Sequence, residues 1–328
     1  MMKKNTAKKY AAKFYAFLAV FFWASAFVST KIVLQSGQLS AMDLGMLRYF
    51  FAGILLIPLA FFCKIRLPNS RDLPKFAISG ILGYTAYMFF FNTASTMISP
   101  STASVINAVC PGLTAVFAYF LFSEKISWKG ILGLFISFVG ILFLSLWNAS
   151  FSLNIGVLYM FVAAICLSMY NISQRSFVQR YNAMETMTYC LLAGSFFLLL
   201  CHGKSLLLIP DLSQQMWRHL IYLAMFPSIL SYYCWAKAMQ CCRKTSEVTN
   251  FMFVTPMIAT LLSFLMIKEF PTWSSYFGGA LILSGMILFQ MEKIKNKNLF
   301  IKNDIYSTGK DVIFIIIRKF YKFSLSIF

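Results

Sequence analysis

Stretches free of Asp, Glu, Lys and Arg dominate the chain: 14–30, 49–63, 76–123, 130–174, 186–203, 219–236, 248–267 and 270–291. A helix that crosses a bilayer needs about 20 mostly apolar residues, so most of these runs are one helix long and two are double. Ser99-Pro100-Ser101 interrupts the first double run, and the polar patch from Asn148 to Asn154 interrupts the second. The pattern predicts an all-α polytopic membrane protein of ten spans, at about 14–34, 42–62, 76–97, 101–122, 129–147, 155–174, 186–201, 218–240, 246–267 and 274–291.

A sparse skeleton recurs within that pattern. Pro111, Glu124, Trp128, Gly133 and Gly140 reappear 145 residues later (256 − 111, and likewise for the others) as Pro256, Glu269, Trp273, Gly278 and Gly285. Matches of uncommon residue types at one offset predict a duplication into a first repeat, 14–147, and a second, 155–291. Each repeat holds five spans. Five is odd, so the halves are expected to be inverted relative to each other. Residues 1–13 form a basic N-terminus and 292–328 a basic tail. In the tail the apolar residues from Val312 to Phe328 mix with Arg318, Lys319 and Lys322, which suits an interfacial helix or a disordered segment.

Charge sharpens the orientation. With the N-terminus inside, the cytoplasmic segments hold 24 of the 29 Lys and Arg, and only Lys31, Arg48, Lys204, Arg218 and Lys268 fall on the other side. Both termini are therefore expected in the cytoplasm of a bacterial cell. The net charge of +19 then reflects topology rather than nucleic-acid binding. A composition 59% hydrophobic and 12% charged is too apolar to cover a soluble globule. The eight cysteines contain no C-x-x-C pair, so neither a disulfide framework, a metal site nor a cofactor is expected. The basic start and Ala24-Ser25-Ala26 resemble a cleaved signal peptide, but cleavage would remove the first span of a repeat, and the apolar run continues to Thr30.

All ten acidic residues lie in predicted loops, span ends or the tail. Ion-coupled carriers use a titratable group inside the membrane, so facilitated diffusion or exchange is expected over proton coupling. No P-loop, H-E-x-x-H or G-x-S-x-G is present, which predicts that the chain is not an enzyme.

Inverted-repeat carriers bind solute near the midplane, where helices are interrupted. Pro111 and Pro256 are the paired interruptions, because each removes a backbone donor within a span. One turn earlier lie Asn107, with Ser104 on the same stripe, and the Thr249-Asn250 pair. Trp23, Tyr87, Tyr232 and Trp235 can wall a site for a planar ring, or for a cation through attractions worth roughly 0.5–2 kcal/mol each. Asn92, at the polar end of span 3, and Tyr170 with Asn171 in span 6 complete the candidate substrate contacts. Lys31 and Arg48 are expected to snorkel to the interface, the alternative being an outer vestibule that attracts a carboxylate. His202 and His219 are expected in solvated outer loops.

The residues Trp23-x-Ser25-x-Phe27-x-x-x-Lys31, Arg48, Pro111 to Glu124 with Gly133 and Gly140, and Pro256 to Glu269 with Gly278 and Gly285 resemble the EamA family of the drug/metabolite transporter superfamily. The resemblance covers about 14–291 and leaves out the tail. It implies a cytoplasmic-membrane carrier whose cavity is lined chiefly by spans 1, 3, 4, 6, 8 and 9, with spans 5 and 10 peripheral. Members similar to this chain include importers of S-adenosylmethionine. The expected cargo is thus an amino acid or a derivative, specifically S-adenosylmethionine taken up against S-adenosylhomocysteine. An exporter of aromatic amino acids, toxic metabolites or drugs is the rival carrier, and a non-transporting scaffold or receptor the rival of another class. Expected partners are a small-molecule solute, the lipid bilayer and a second copy in a homodimer, but no nucleic acid.

Overall fold

The computed structural model describes residues 2–122, 126–147, 154–177, 180–241, 248 and 250–300, and among them no strand occurs. The first half comprises α1 (Met2–Gln35), α2 (Ala41–Phe62), α3 (Leu73–Gly80), α4 (Tyr87–Met97), α5 (Pro100–Asn107), α6 (Cys110–Phe122) and α7 (Trp128–Leu146). The second comprises α8 (Ile155–Phe177), α9 (Ala183–His202), α10 (Gln214–Leu223), α11 (Ser231–Cys241), α12 (Thr255–Ile267) and α13 (Trp273–Phe300). Among the described residues, six helical stretches are long and apolar enough to cross a membrane, and 251–267 and 273–289 are shorter apolar helices. Helix α13 continues to Phe300, into the segment the sequence assigns to the tail.

The acidic residues at span ends have a local explanation. Ser40 accepts from the backbone N–H of Asp43, whose carboxylate accepts from the N–H of Ser40 in return, and Asn182 and Glu185 repeat that arrangement at the start of α9. Each box satisfies orphan donors of a helix start. The two boxes stand 142 residues apart (182 − 40), a second signature of the duplication.

The broken helices also occur in pairs. Residues 108–109 form a turn between α5 and α6 just before Pro111, and a 3₁₀ stretch, Asn250–Val254, precedes α12 just before Pro256. Two further breaks have no equivalent in the sequence reading. Ile81–Ala86 joins α3 to α4, and Ala224–Leu230 joins α10 to α11, each as a π-helical turn. Pro227 accounts for the second. The first contains no proline. Instead Gly83 lies under Tyr170, whose ring leaves no room for a Cβ there. The widened turn and the missing side chain let α8 approach.

Helices α7 and α13 pack against each other through the repeated glycines, Gly133 on Gly285 and Gly140 on Gly278. Ser137 reinforces the seam by donating to the Ile282 carbonyl at 3.0 Å. The repeated tryptophans do not serve this packing. Trp128 and Trp273 are 76% and 77% exposed at the first turns of α7 and α13, the position of interfacial anchors.

At the end the charge pattern assigns to the cytoplasm, Asp72 is a hub. It accepts from Lys75 Nζ at 2.9 Å and from Tyr181 Oη at 2.9 Å, with Arg180 at 3.6 Å. Burial pushes its carboxyl up. The hydrogen bonds from Lys75 and Tyr181 and the nearby cations outweigh that effect and hold it below the usual carboxylate range. The loop before α3 is thereby fastened to the loop before α9.

Candidate functional site

A cavity opens at the centre of the bundle, lined from both halves by Trp23, Ala26, Phe27, Arg48, Tyr87, Met88, Phe91, Asn107, Leu167, Tyr232, Met252 and Thr255. Trp23 and Phe27 come from α1, Asn107 from the last turn of α5, and Thr255 from the first residue of α12. Both proline-linked breaks thus deliver a polar side chain to one space. The cavity measures ≈ 30 Å³, room for about two waters.

Aromatic rings close the cavity on the side of the 63–72 loop. Trp23 stands 5.0 Å from Trp235 and 5.4 Å from Tyr232, ring centre to ring centre. Tyr232 also packs on Tyr84 at 5.0 Å, and the Tyr84 and Tyr170 hydroxyls share a hydrogen bond of 3.0 Å. On the opposite side Phe27 meets Phe91 at 5.2 Å. Tilted and edge-on contacts of this kind add roughly 0.5–1.5 kcal/mol each beyond area burial.

Of the residues singled out in the sequence, Trp23, Tyr87, Asn107 and Tyr232 face the cavity. Tyr170 and Trp235 pack behind the lining, in the aromatic cluster. Asn92 is fully buried elsewhere, donating to the Ala41 carbonyl at 2.9 Å and so holding the start of α2. Ser104 is buried and bonds back to the Ser101 carbonyl at 2.8 Å, within its own helix. Asn171 is half-buried on α8, outside the lining. Thr249 and the side chain of Asn250 lie outside the described residues, and Pro111 and Pro256 sit at the breaks without lining the space.

The largest departure concerns two cations. Both Lys31 and Arg48 are buried within the helix bundle. Lys31 is 8% exposed and donates to the carbonyls of Ser95 and Ile98 at 3.0 and 3.1 Å, capping the C-terminal end of α4. Arg48 is 3% exposed and lines the cavity. Its place in α2, seven residues after Ala41, lies about 10 Å along the helix from that end. Sequence reasoning placed it near the interface by position; no one-dimensional signal tells which way the side chain turns. The histidines differ too. His202 ends α9 with Nε2 3.1 Å from Asp43, and His219 lies within α10 with Nδ1 2.9 Å from the Ser29 hydroxyl.

The family model of the EamA-like transporter family matches residues 11–146 and again 154–291. The chain belongs to the EamA-like transporter family. This EamA-like protein is similar to the uncharacterized transporter YdfC of Bacillus subtilis, at 25% identity over 87% of this chain and 92% of the relative. A probable terminal-alkyne amino-acid exporter of Streptantibioticus cattleyicolor matches at 25% identity over 83% of this chain and 90% of its own. An S-adenosylmethionine uptake transporter of Rickettsia bellii matches at 22% identity over 80% and 88%. A solved crystal structure at 21% identity superposes with a TM-score of 0.61 over 89% of this chain and 99% of that one, a likeness of fold. The EamA-like chain is a multi-pass membrane protein of a transporter family, which implies a small-molecule solute.

Proposed function

We propose that the chain is a secondary carrier of an amino acid or amino-acid derivative, working by alternating access across the cytoplasmic membrane of a bacterium. In this reading the ten helical runs all cross the bilayer, as two inverted five-span repeats with both termini in the cytoplasm. The observation that carries it is the cavity walled by Trp23, Tyr87 and Tyr232 and reached by Asn107 and Thr255 from two broken helices of opposite halves. Broken helices at a repeat interface are where such carriers hold solute, and rocking of the halves exposes the site to each side in turn. In this reading the halves part to admit the solute, and the turn at 108–109 and the two π-helical turns are the weak points of the ladder.

S-adenosylmethionine, taken up in exchange for S-adenosylhomocysteine, is the specific cargo. Its adenine suits the aromatic walls and its sulfonium suits their negative faces. A relative named as an S-adenosylmethionine uptake transporter supports this cargo. The relative named as a probable amino-acid exporter favours a second reading, outward transport of an amino acid through the same cavity. Counterflow in proteoliposomes separates them: internal S-adenosylhomocysteine stimulates entry of labelled S-adenosylmethionine in the first, whereas in the second it has no effect and aromatic amino acids compete. Thiol labelling tests the carrier reading itself. With the native cysteines replaced, Asn107→Cys and Tyr232→Cys are expected to react and to be protected by solute; inaccessibility from both sides leaves only a scaffold or receptor.

A further inference from the structure

We infer that Arg48 is the carboxylate-binding residue of the cavity, so that the carried solute bears a free carboxylate. The inference rests on the carrier reading and names the substrate class of that site.

A guanidinium deep in a membrane protein is expensive unless paired, and uncompensated ions there mark functional sites. Arg48 is almost completely buried, and no carboxylate of the described residues lies within ion-pairing distance of it. Asp43, the acid of its own helix, is engaged elsewhere, by Ser40, Ser205 and His202.

The donors of Arg48 are only partly used. Its Nε–H donates to the Ser228 hydroxyl at 2.8 Å, and that hydroxyl donates onward to the Leu223 carbonyl at 2.9 Å. Nη1 approaches the Met88 sulfur at 3.8 Å, a weak acceptor, and Cζ stands 5.3 Å from the Tyr49 ring centre. A guanidinium carries five N–H groups in a planar fork. Ser228 holds one edge of that fork, and Arg48 is itself a lining residue of the cavity. A carboxylate is the planar anion whose two oxygens match such a fork. Among the described residues the lining contains no anion, so a cationic end of the same solute falls to the faces of Trp23, Tyr87 and Tyr232. The cavity's chemistry is that of an amino-acid zwitterion.

The test compares uptake of phenylalanine and S-adenosylmethionine with phenylalaninamide and decarboxylated S-adenosylmethionine, in proteoliposomes containing the full chain. Removing one partner of a buried charge pair typically costs at least about 30-fold in binding. The native protein is expected to favour at least one free acid by that factor or more. Arg48→Gln is expected to bring the ratio near one, and Arg48→Lys to keep part of it through charge without the fork. Equal transport of acid and amide by the native protein, or an unchanged ratio in Arg48→Gln, overturns the inference while leaving the carrier intact. No uptake of any probe by folded native protein sinks the carrier reading and this inference together. Arg48→Met supplies an independent check in detergent. If Arg48 serves the solute, the variant folds with a melting temperature at or above that of the native chain; loss of the folded peak assigns Arg48 to structure and overturns the inference.

Discussion

Gly133 and Gly285, from opposite halves of the chain, face each other backbone to backbone: a Cβ on Gly133 would stand 2.5 Å from the Gly285 carbonyl oxygen and 2.7 Å from the Phe289 nitrogen. In the repeat the counterpart of Gly133 is Gly278, and that of Gly140 is Gly285. The contacts cross over, Gly133 meeting Gly285 and Gly140 meeting Gly278, as a two-fold relation between α7 and α13 requires.

Because the obstructing atoms at Gly133 are backbone, they cannot swing aside. Gly133→Ala is expected to destabilise the protein by roughly 1–3 kcal/mol, the range for overpacking, read as a lower melting temperature in detergent. Gly279→Ala is the control, since its Cβ would meet Val105 methyls at an ordinary 3.5 Å. Equal losses in both variants would remove the crossed-glycine seam as the cause.

Lys31→Met leaves the Ser95 and Ile98 carbonyls without their side-chain donor. A buried polar group deprived of its partner costs about 1–3 kcal/mol. Thermal unfolding of the variant should fall accordingly, and Lys31→Arg should recover part of the loss. A snorkelling lysine would show neither effect.

The Asp72 hub gives an acid-dependent term. Its folded-state pKa lies below the unfolded value near 3.9, so its contribution is full above that value and is lost as pH falls through the folded pKa. Stability measured downward from pH 5 should drop below about pH 4 in the native chain. Asp72→Asn should remove about 1–2 kcal/mol at neutral pH, by loss of the Lys75 and Tyr181 bonds, and flatten the acid limb.

Orientation can be read with an impermeant thiol reagent in a background without native cysteines. Gln38→Cys should label on intact cells, and Leu67→Cys, at a residue 91% exposed, only after permeabilisation. The reverse pattern would invert the assignment made from Lys and Arg.

How much could be read in one dimension follows from the physics of a lipid solvent. The bilayer demands runs of apolar residues of fixed length, so the helical fold class and the family showed in the sequence. The duplication showed because glycines at close helix contacts and prolines at breaks tolerate few replacements. Of the candidate residues, Trp23, Tyr87, Asn107 and Tyr232 face the cavity. Asn92 and Ser104 were indistinguishable from them in sequence, yet each satisfies a backbone carbonyl within the packing.

By itself the sequence determined the apolar runs, the repeat and the charge asymmetry, because these depend on what lipid and water accept at each position. Only the tertiary structure decided the direction of side chains around each helix. Arg48 turns inward to a shared cavity through Ser228, 180 residues away, and Tyr84 meets Tyr170 across the gap opened at Gly83. Such relations depend on how helices rotate against one another, and that rotation is fixed by contacts between distant parts of the chain.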